Sequence, residues 1–412
     1  MISRSLEPSL RAALSDTPVT MLVGARQTGK STLVTSVSDG ADTEYLTLDD
    51  PTLLAAARSD PSAFVEGLGE ASIIDEVQRA PEVFLPIKAA VDRDRRPGRF
   101  LLTGSANPLF VPAVAEALAG RMEVLTLWPF SEAELAGRPE RNIARLLLGD
   151  GQPQTPYSPT NREDLVTRIV RGGFPEAVAR ESSDRRGRWF SSYLTTILER
   201  DVRTIADISR LEQLPRLLTA LALRTRGPLN KSALGQDLGV PASSFDRYLT
   251  LLERVFLIRR LPAWHNRQAP RLVKAPKLLL CDSGLLCHLL QWEGERLLDD
   301  PTSFGLALEC FVGTELVKTV DVDPAAPRLL HYRTSKGVEI DFVLEAPDGR
   351  IAAVEVKGSS SVDALDFRRF ERLRELVGPR FVRGVVFYCG ERRVTFGEGL
   401  EAWPVSSLWE AL

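Results

Sequence analysis

A glycine-containing stretch near the amino terminus constrains this chain more than any other feature. Residues 24–32 read Gly-Ala-Arg-Gln-Thr-Gly-Lys-Ser-Thr, which fits the pattern G-x-x-x-x-G-K-[ST]. An apolar, β-prone run, Val19–Val23, precedes it, and residues 31–37 suit the first turns of a helix. Glycines let backbone N–H groups face phosphate oxygens, and a helix N-terminus favours the same anion. The pattern predicts a phosphate-binding loop between a strand and a helix, with a chance glycine turn as the alternative.

Each position of the loop is a candidate nucleotide contact. Lys30 is expected to reach the β- and γ-phosphates of ATP, and Ser31 is expected to ligate Mg²⁺. The full set of loop candidates is Gly24, Ala25, Arg26, Gln27, Thr28, Gly29, Lys30, Ser31 and Thr32.

Strand-like and helix-like segments alternate from residue 19 to residue 130, which predicts an α/β domain with a mainly parallel sheet. The predicted strands are Val19–Val23, Glu44–Leu48, Ala71–Ile74, Phe100–Thr103 and Glu123–Leu127. The third strand ends in Asp75 and Glu76. Neighbouring strand side chains face opposite ways, so Asp75 is expected to hold Mg²⁺ through water and Glu76 to orient the attacking water. A solvated strand end is the alternative.

Four further residues are candidates for contact with a nucleotide phosphate. Thr103, Ser105 and Asn107 follow the fourth strand, at the sheet edge where open α/β sheets bind ligands. Any of them could instead cap a helix before Pro108. Arg121 precedes the fifth strand and could reach a phosphate, although a surface salt bridge is the commoner role for such an arginine.

Composition limits the other possibilities. The chain has 412 residues and a net charge of −3, so attraction for nucleic acid must come from a local patch. Its four cysteines form no CxxC pair, which predicts buried free thiols and a cytoplasmic location. No apolar run approaches the ~20 residues of a membrane span, so no membrane association is expected.

The middle of the chain predicts helices and one basic surface. A turn-rich loop near residues 149–159 is followed by helical spacing over residues 163–223, and then by two helices, Lys231–Leu238 and Ala242–Arg254, around a Gly-Val-Pro turn. A β-prone run comes next, and two helices followed by such a run are typical of a winged helix. Residues 254–281 hold seven Lys or Arg and no acid. The predicted DNA contacts are Arg254, Arg259, Arg260, Arg267, Arg271 and Lys274.

That basic stretch has a structural alternative. The winged helix could simply join two domains, with its arginines paired internally against acids. Trp264, within the stretch, could stack on exposed bases or pack under the wing.

The last ~120 residues again alternate helix and strand, as a third α/β unit would. Asp341 and Glu355 lie on two predicted strands joined by an Asp348-Gly349 turn, and Lys357 shares a face with Glu355. Glu309, Asp341 and Glu355 are therefore candidate ligands for Mg²⁺ or Mn²⁺, and Lys357 a candidate catalytic lysine for phosphodiester hydrolysis. A cross-strand salt bridge in a domain without the activity is the alternative.

Several of these motifs together resemble a known family. The loop at residues 24–32, the run Ile74–Gln78, Leu102–Ser105, Gly120-Arg121 and Trp128–Ser131 are similar to prokaryotic AAA+ ATPases with a C-terminal domain of unknown function. Gly172–Glu176, Tyr193, Glu199–Val202, Lys277 with Asp282–Leu285, and Glu355–Lys357 extend that resemblance over nearly the whole chain.

The resemblance implies a core sheet of strand order 5-1-4-3-2, a nucleotide-sensing turn at Pro175, and Arg121 as an arginine finger acting across a subunit interface. The C-terminal residues resemble the D…E-x-K site of restriction-endonuclease-like folds, the PD-(D/E)xK nucleases, and Glu309 matches the helix acid of junction-resolving members. The expected α/β architecture is an AAA+ P-loop core (1–140), a helical lid (141–210), a winged helix (211–290) and a nuclease-like domain (291–412).

The predicted function is ATP hydrolysis with Mg²⁺ in a protein that acts on DNA and could form a homo-oligomer, with a C-terminal domain that could cleave branched or damaged DNA. Two alternatives remain open. One is a nucleotide-dependent switch or scaffold whose C-terminal domain binds without cutting. The other is a signalling or defence ATPase in which nucleotide exchange changes assembly.

Overall fold

The structure, a computed structural model, describes residues 2–38, 43–106, 118–149, 160–202, 213–265 and 275–410. Apart from the first two residues, the chain forms two compact units, residues 3–128 with 254–256 and residues 129–253 with 257–412. Over the described residues, no helix combines the length and apolarity that a membrane crossing requires. The predicted division of the second unit into lid, winged helix and nuclease-like domain stays a prediction.

The first unit is an α/β fold around a five-stranded parallel sheet. Its strands are β1 (Val19–Val23), β2 (Glu44–Thr47), β3 (Ser72–Asp75), β4 (Phe100–Gly104) and β5 (Met122–Thr126). Its described helices are α1 (Glu7–Asp16), α2 (Lys30–Ser38), α3 (Pro51–Ser59), α4 (Pro61–Glu66) and α5 (Phe84–Arg93). The sheet order, β5-β1-β4-β3-β2, is the order that the family resemblance implied.

Central strands of this sheet are apolar because helices cover both faces of a parallel sheet. Every residue of β1 and of β4 is buried. The edge strand β2 is partly exposed. The five predicted strands are thus confirmed, with ends that shift by one residue at most.

The second unit begins with helices. They are α6 (Glu132–Leu135), α7 (Ile143–Leu147), α8 (Arg162–Arg171), α9 (Pro175–Val178), α10 (Ser183–Thr196), α11 (Gln213–Ala222), α12 (Lys231–Leu238) and α13 (Ala242–Arg254). The next elements are β6 (Ile258–Leu261), β7 (Lys277–Leu280), α14 (Ser283–Leu289), α15 (Gly294–Asp299) and α16 (Pro301–Asp321). Helices α12 and α13 have the predicted bounds, and β6 pairs antiparallel with β7. Identification of this segment as a winged helix stays a prediction.

The carboxyl-terminal part holds a six-stranded mixed sheet. Its elements are β8 (Arg328–Arg333), β9 (Glu339–Glu345), β10 (Ile351–Lys357), α17 (Arg368–Val377), β11 (Phe381–Tyr388), β12 (Val394–Gly397) and β13 (Leu400–Pro404). The strand order is β12-β13-β11-β10-β9-β8. Strands β8, β9 and β10 run antiparallel in sequence, and β11 lies parallel to β10. The predicted hairpin between β9 and β10 is confirmed.

Helix α16 is the central helix of the second unit. Nearly all of its residues from Ser303 to Val320 are buried, including Glu309, Glu315 and Lys318. Such a helix is apolar all round because protein surrounds it. Its buried charges must therefore be paired, and Lys318 Nζ lies 2.7 Å from Glu315 Oε1.

Two family motifs pack against each other in this unit. Asp282 caps α14 by accepting the Leu285 N–H, and it also accepts the Gly173 N–H at 2.7 Å. A Cβ atom on Gly173 would lie 2.1 Å from the carbonyl oxygen of Phe130, so only glycine fits there. The Gly172-Gly173 and Asp282–Gly284 motifs thus have a structural reason to occur together.

Candidate functional site

The phosphate-binding loop has the predicted setting. Residues 24–29 connect β1 to α2, and Lys30, Ser31 and Thr32 form the first turn of that helix. A Cβ atom on Gly24, which has φ +154°, would lie 2.2 Å from the carbonyl oxygen of Leu127. Lys30 is buried, and its Nζ donates to the carbonyl oxygens of Gly24 and Ala25 at 3.0 and 2.9 Å. The ammonium is thus held over the loop, where it can exchange these carbonyls for phosphate oxygens.

Asp75 lies beside the loop at the end of β3. The Ser31 hydroxyl donates to its carboxylate, 3.3 Å from Oδ1, and the Thr103 hydroxyl also donates to Oδ1. Asp75 itself is buried. A hydroxyl and a carboxylate at this distance are hard oxygen ligands, and this donor set fits Mg²⁺. The structure therefore brings Ser31, Asp75 and Thr103 together as the sequence predicted.

Glu76 follows in a strained backbone conformation. Its φ is +59°, a left-handed value that is uncommon for a residue with a side chain. The Glu76 N–H donates to Thr103 Oγ1 at 3.2 Å, and its Oε2 accepts hydrogen bonds from Ser105 Oγ and Gln78 Nε2. Such strain persists where the surroundings over-determine the conformation. The carboxylate is thus fixed in direction beside the loop.

Three contributors to this site were not singled out from sequence. Arg4 donates to the carbonyl oxygens of Thr28 and Trp128, at 3.0 and 2.5 Å. Gln78 holds the Glu76 carboxylate, and only its place in the Asp75–Gln78 run could have indicated it. Burial and the Asp75 carboxylate raise the pKa of Tyr45 to about 12. Nothing in the sequence around Arg4 or Tyr45 marks either residue.

The other predicted nucleotide contacts have mixed outcomes. Arg121 Nε lies 2.5 Å from Asp92 Oδ1, the surface salt bridge that was the alternative to an arginine finger. That ion pair lowers the pKa of Asp92. Pro175 starts α9 in the second unit, and Asn107 lies outside the described residues. The roles of Arg121 and Pro175 stay predictions.

In the described part of the basic stretch, Arg259 and Arg260 are paired internally. Arg259 Nη2 lies 3.0 Å from Asp321 Oδ1, and Arg260 Nε lies 2.6 Å from Glu253 Oε2. Arg254 is half-buried, and burial lowers its pKa. Trp264 packs in the core of the C-terminal sheet rather than presenting a face to bases. Arg267, Arg271 and Lys274 lie outside the described residues.

A second candidate site lies in the second unit, in a cavity of about 610 Å³. Its lining includes the acid cluster, defined as Glu309, Asp341 and Glu355, and the cations Arg162, Arg226, Lys357 and Arg369. Strands β9 and β10 bring two of the acids together, because the Val356 N–H donates to Asp341 Oδ2 at 2.9 Å. Glu309 comes from α16. The structure thus places the three acids close together, as the sequence predicted.

The acid cluster already has cationic partners. Lys277, which is fully buried, places Nζ 2.6 Å from Glu309 Oε1 and 3.5 Å from Asp341 Oδ1. Arg226 Nε lies 3.4 Å from Glu309 Oε2, and Arg369 pairs with Glu355 Oε1. Lys357 lies 3.2 Å from Asp366. Sequence reasoning grouped Lys277 with the basic stretch and missed this position.

Two carboxyl groups of the acid cluster have raised pKa values. Burial and the neighbouring Asp341 carboxylate raise the pKa of Glu309 to about 7. The same two causes raise the pKa of Glu355 well above its ordinary value. Among the described residues, no three His, Cys, Asp or Glu side chains are placed to hold a metal ion. As they stand, these residues do not fit a divalent cation, and the predicted metal roles stay predictions.

Comparison with known proteins places the chain in a family. Residues 16–136 match the AAA domain, residues 162–296 match a domain of unknown function (DUF8612), and residues 304–408 match a domain of unknown function (DUF4143). "Uncharacterized protein Rv2008c" of Mycobacterium tuberculosis is 30% identical over 98% of this chain and 84% of its own length. "Uncharacterized protein Mb2031c" of Mycobacterium bovis has the same identity and coverage. The chain belongs to this AAA ATPase family with a C-terminal DUF4143 domain.

The solved structures to which this AAA ATPase is similar share less sequence with it. The Walker-type ATPase PABY2304 of Pyrococcus abyssi has 14% identity and a TM-score of 0.44, covering 70% of this chain and 96% of its own. The RuvB Holliday junction branch migration motor of Thermotoga maritima has 20% identity and a TM-score of 0.29, covering 63% and 86%. The family assignment rests on the domain matches and the mycobacterial relatives.

Membership in an AAA ATPase family gives the first unit its chemistry. The chain binds and hydrolyses ATP. Lys30 and the backbone of residues 24–29 are the predicted phosphate cradle, and Glu76 is the carboxylate held in a fixed direction near it. Among the residues that the sequence singled out for this chemistry, those that lie together at one end of the parallel sheet are Lys30, Ser31, Asp75, Glu76 and Thr103.

Proposed function

We propose that the AAA unit hydrolyses ATP with Mg²⁺ held between Ser31 and Asp75, and that Glu76 orients the attacking water. The observation that supports this most is the hydrogen bond from Ser31 to Asp75, which places two oxygen atoms that could ligate Mg²⁺ next to each other. Mg²⁺, when bound, would neutralise charge on the β- and γ-phosphates. Thr103 also donates a hydrogen bond to Asp75, and Ser105 and Gln78 donate hydrogen bonds to Glu76.

The Mg²⁺ proposal has a direct test. Asp75→Asn should raise the Mg²⁺ concentration needed for half-maximal ATP turnover while leaving the fold intact. An unchanged Mg²⁺ requirement would contradict a role for Asp75 in holding the ion.

We further propose DNA as a partner, bound through phosphates with little sequence preference. In a chain of net charge −3, the support is the run of cations from residue 254 to 277 without an acid. Because Arg259 and Arg260 are paired with Asp321 and Glu253, we assign the contact chiefly to Arg267, Arg271 and Lys274. The buried free thiols of Cys281, Cys287 and Cys310 fit a reducing, cytoplasmic setting.

The DNA proposal is tested by the salt dependence of binding. Replacing Arg267, Arg271 and Lys274 together by Ala should weaken duplex binding and reduce the log–log salt slope by roughly 0.9 for each phosphate that is no longer neutralised. Arg260→Gln, which removes an already paired guanidinium, is the matched control and should leave the slope nearly unchanged. An unaltered slope in the triple variant would mean that the segment does not contact DNA.

For the C-terminal cavity, binding without cleavage is the better supported of the two predicted roles. Five of the six carboxylate oxygens of the acid cluster already have a partner within the chain. Only Glu355 Oε2 has none among the described residues. Cleavage would need these oxygens for a metal. The cavity is therefore proposed as the binding site of a switch that the AAA unit controls.

A cleavage screen separates these roles. Linear, forked and four-way junction DNA would be incubated with the full-length protein, with and without ATP, Mg²⁺ and Mn²⁺. The binding role predicts intact DNA under every condition. Cleavage that disappears in Asp341→Asn would contradict it and establish the nuclease-like role.

A further inference from the structure

The acid cluster is arranged around a lysine from another element. Lys277 begins β7, whereas Glu309 lies on α16 and Asp341 on β9. Its Nζ is 2.6 Å from Glu309 Oε1 and 3.5 Å from Asp341 Oδ1, and it donates to the Asp341 carbonyl oxygen at 3.3 Å. The Phe342 ring lies on another side, with its centroid 4.8 Å from Nζ. Three oxygens and an aromatic face thus surround one positive charge.

This ammonium stays charged. Burial opposes the charged form, but the Glu309 and Asp341 carboxylates outweigh it, so the pKa of Lys277 is raised. A buried ammonium surrounded by carboxylate and carbonyl oxygens has the environment of a bound cation. It also neutralises part of the negative charge that would attract Mg²⁺ or Mn²⁺.

The backbone keeps the lysine in this place. Lys277 pairs with Leu261 at the end of the β6–β7 ribbon and forms an isolated bridge with Pro228. Its side chain is fully buried. Because the main chain is fixed by two neighbours, the ammonium cannot leave the cluster by a simple rotation at the surface.

We infer that the Lys277 ammonium takes the place of a divalent cation in the acid cluster and keeps the folded protein free of metal there. This inference deepens the non-cleaving role proposed for the same cavity and rests on it for its biological meaning. Its test measures metal binding rather than DNA binding or cleavage. The inference about Lys277 and the non-cleaving role of the cavity can therefore fail independently.

The consequence is a latent metal site. Removing the ammonium leaves Glu309 Oε1 and Asp341 Oδ1 without their shared partner. Glu355 Oε2, which has no hydrogen-bond partner in the described part of the chain, belongs to the same cluster. Carboxylate oxygens from three acids are ligands that Mn²⁺ and Mg²⁺ accept. Loss of Lys277 should therefore create divalent-cation affinity that the natural protein lacks.

The experiment titrates nucleotide-free, full-length protein with Mn²⁺ and follows free Mn²⁺ by electron paramagnetic resonance. Lys277→Met should bind at least one more Mn²⁺ than the natural chain. Its affinity for Mn²⁺ at the acid cluster should exceed any weak binding by the natural chain there by about tenfold or more, which corresponds to about 1.4 kcal/mol. Adding Asp341→Asn to that variant should remove the gain. Any Mn²⁺ at Ser31 and Asp75 is common to all variants and cancels in the difference.

Lys357→Met is the matched control, because it removes one positive charge from the same cavity without freeing any oxygen of the acid cluster. It should gain no Mn²⁺ site. A gain equal to that of Lys277→Met would show a general charge effect and overturn the inference.

A second measurement keeps the inference testable if Lys277→Met does not fold. The natural protein and Asp341→Asn should bind Mn²⁺ equally, because the cluster holds no metal in either. Mn²⁺ binding by the natural protein that disappears in Asp341→Asn would overturn the inference. Lys277→Met with Glu309→Gln, a neutral pair, should fold and gain no more than weak binding.

Discussion

Glu309 shows how one buried carboxyl can set the response of stability to pH. Its pKa is raised to about 7 by burial and by Asp341, and the charges that face it are Lys277, Arg226 and Asp341. The folded chain thus holds a proton on Glu309 that the unfolded chain releases near its ordinary pKa. Stability gained from this difference is present at low pH and is lost as pH rises toward 7.

We predict that the free energy of unfolding falls as pH rises from about 4.5 to about 7, the interval between the ordinary and the raised pKa of Glu309. Glu309→Gln cannot release this proton, so its stability should change less across the interval. Urea unfolding of both proteins at each pH measures the two slopes. Parallel slopes would contradict the raised pKa.

Individual residues also show where sequence reasoning stops. Asp75, Glu76 and Ser31 were predictable because a local pattern fixes their spacing relative to a strand and a helix. Lys277 was not, because its partners Glu309 and Asp341 are 32 and 64 positions away and no pattern links them. A lysine in a basic stretch gives no sign that its side chain points inward.

At the scale of elements, β1, the phosphate-binding loop and α2 act as one unit of structure. Gly24 lies so close to the end of β5 that an added Cβ would be 2.2 Å from the Leu127 carbonyl oxygen. That carbonyl belongs to backbone, which can move only if the strand end moves. The loop geometry therefore depends on this one glycine.

We predict that Gly24→Ala lowers the free energy of unfolding by about 1–3 kcal/mol, as overpacking does, and weakens ATP binding. Gly69→Ala is the control, because its nearest neighbour would be 3.5 Å away, an ordinary contact. Thermal unfolding and ATP titration of both variants make the comparison. Equal behaviour of the two variants would show that the contact at Gly24 is unimportant.

Element boundaries were predictable where glycine and proline residues interrupt the helical pattern. Gly239 and Pro241 separate α12 from α13, and both helices have their predicted bounds. The β9–β10 hairpin followed from Asp348-Gly349. The nearly complete burial of α16 did not follow from the sequence, because it depends on packing against elements far along the chain.

At the scale of the whole molecule, the environment of Arg121 bears on whether subunits act together. Arg121 pairs with Asp92 in this chain, whereas the family resemblance implies contact with a neighbouring subunit's nucleotide. An exposed pair of this kind contributes little stability and can be exchanged for another partner. Assembly and turnover must therefore be measured together.

We predict that mixing Arg121→Ala with Lys30→Ala protein restores part of the ATPase activity that each lacks. An arginine finger can contribute a factor of about 10³ or more to turnover, so complementation should be readily detected. Asp92→Ala, which removes only the partner of Arg121, should stay active by itself. Mixtures without activity would show that Arg121 does not act across subunits.

We expect residues 24–32 to bind ATP and Glu76 to act only in turnover. The most direct measurement compares ATP affinity and steady-state turnover in the natural protein, Lys30→Ala and Glu76→Gln. We expect Lys30→Ala to lose ATP binding, because the ammonium contacts ground-state phosphates, and Glu76→Gln to bind ATP normally without turnover. Normal ATP affinity in Lys30→Ala, or undiminished turnover in Glu76→Gln, would contradict these two roles.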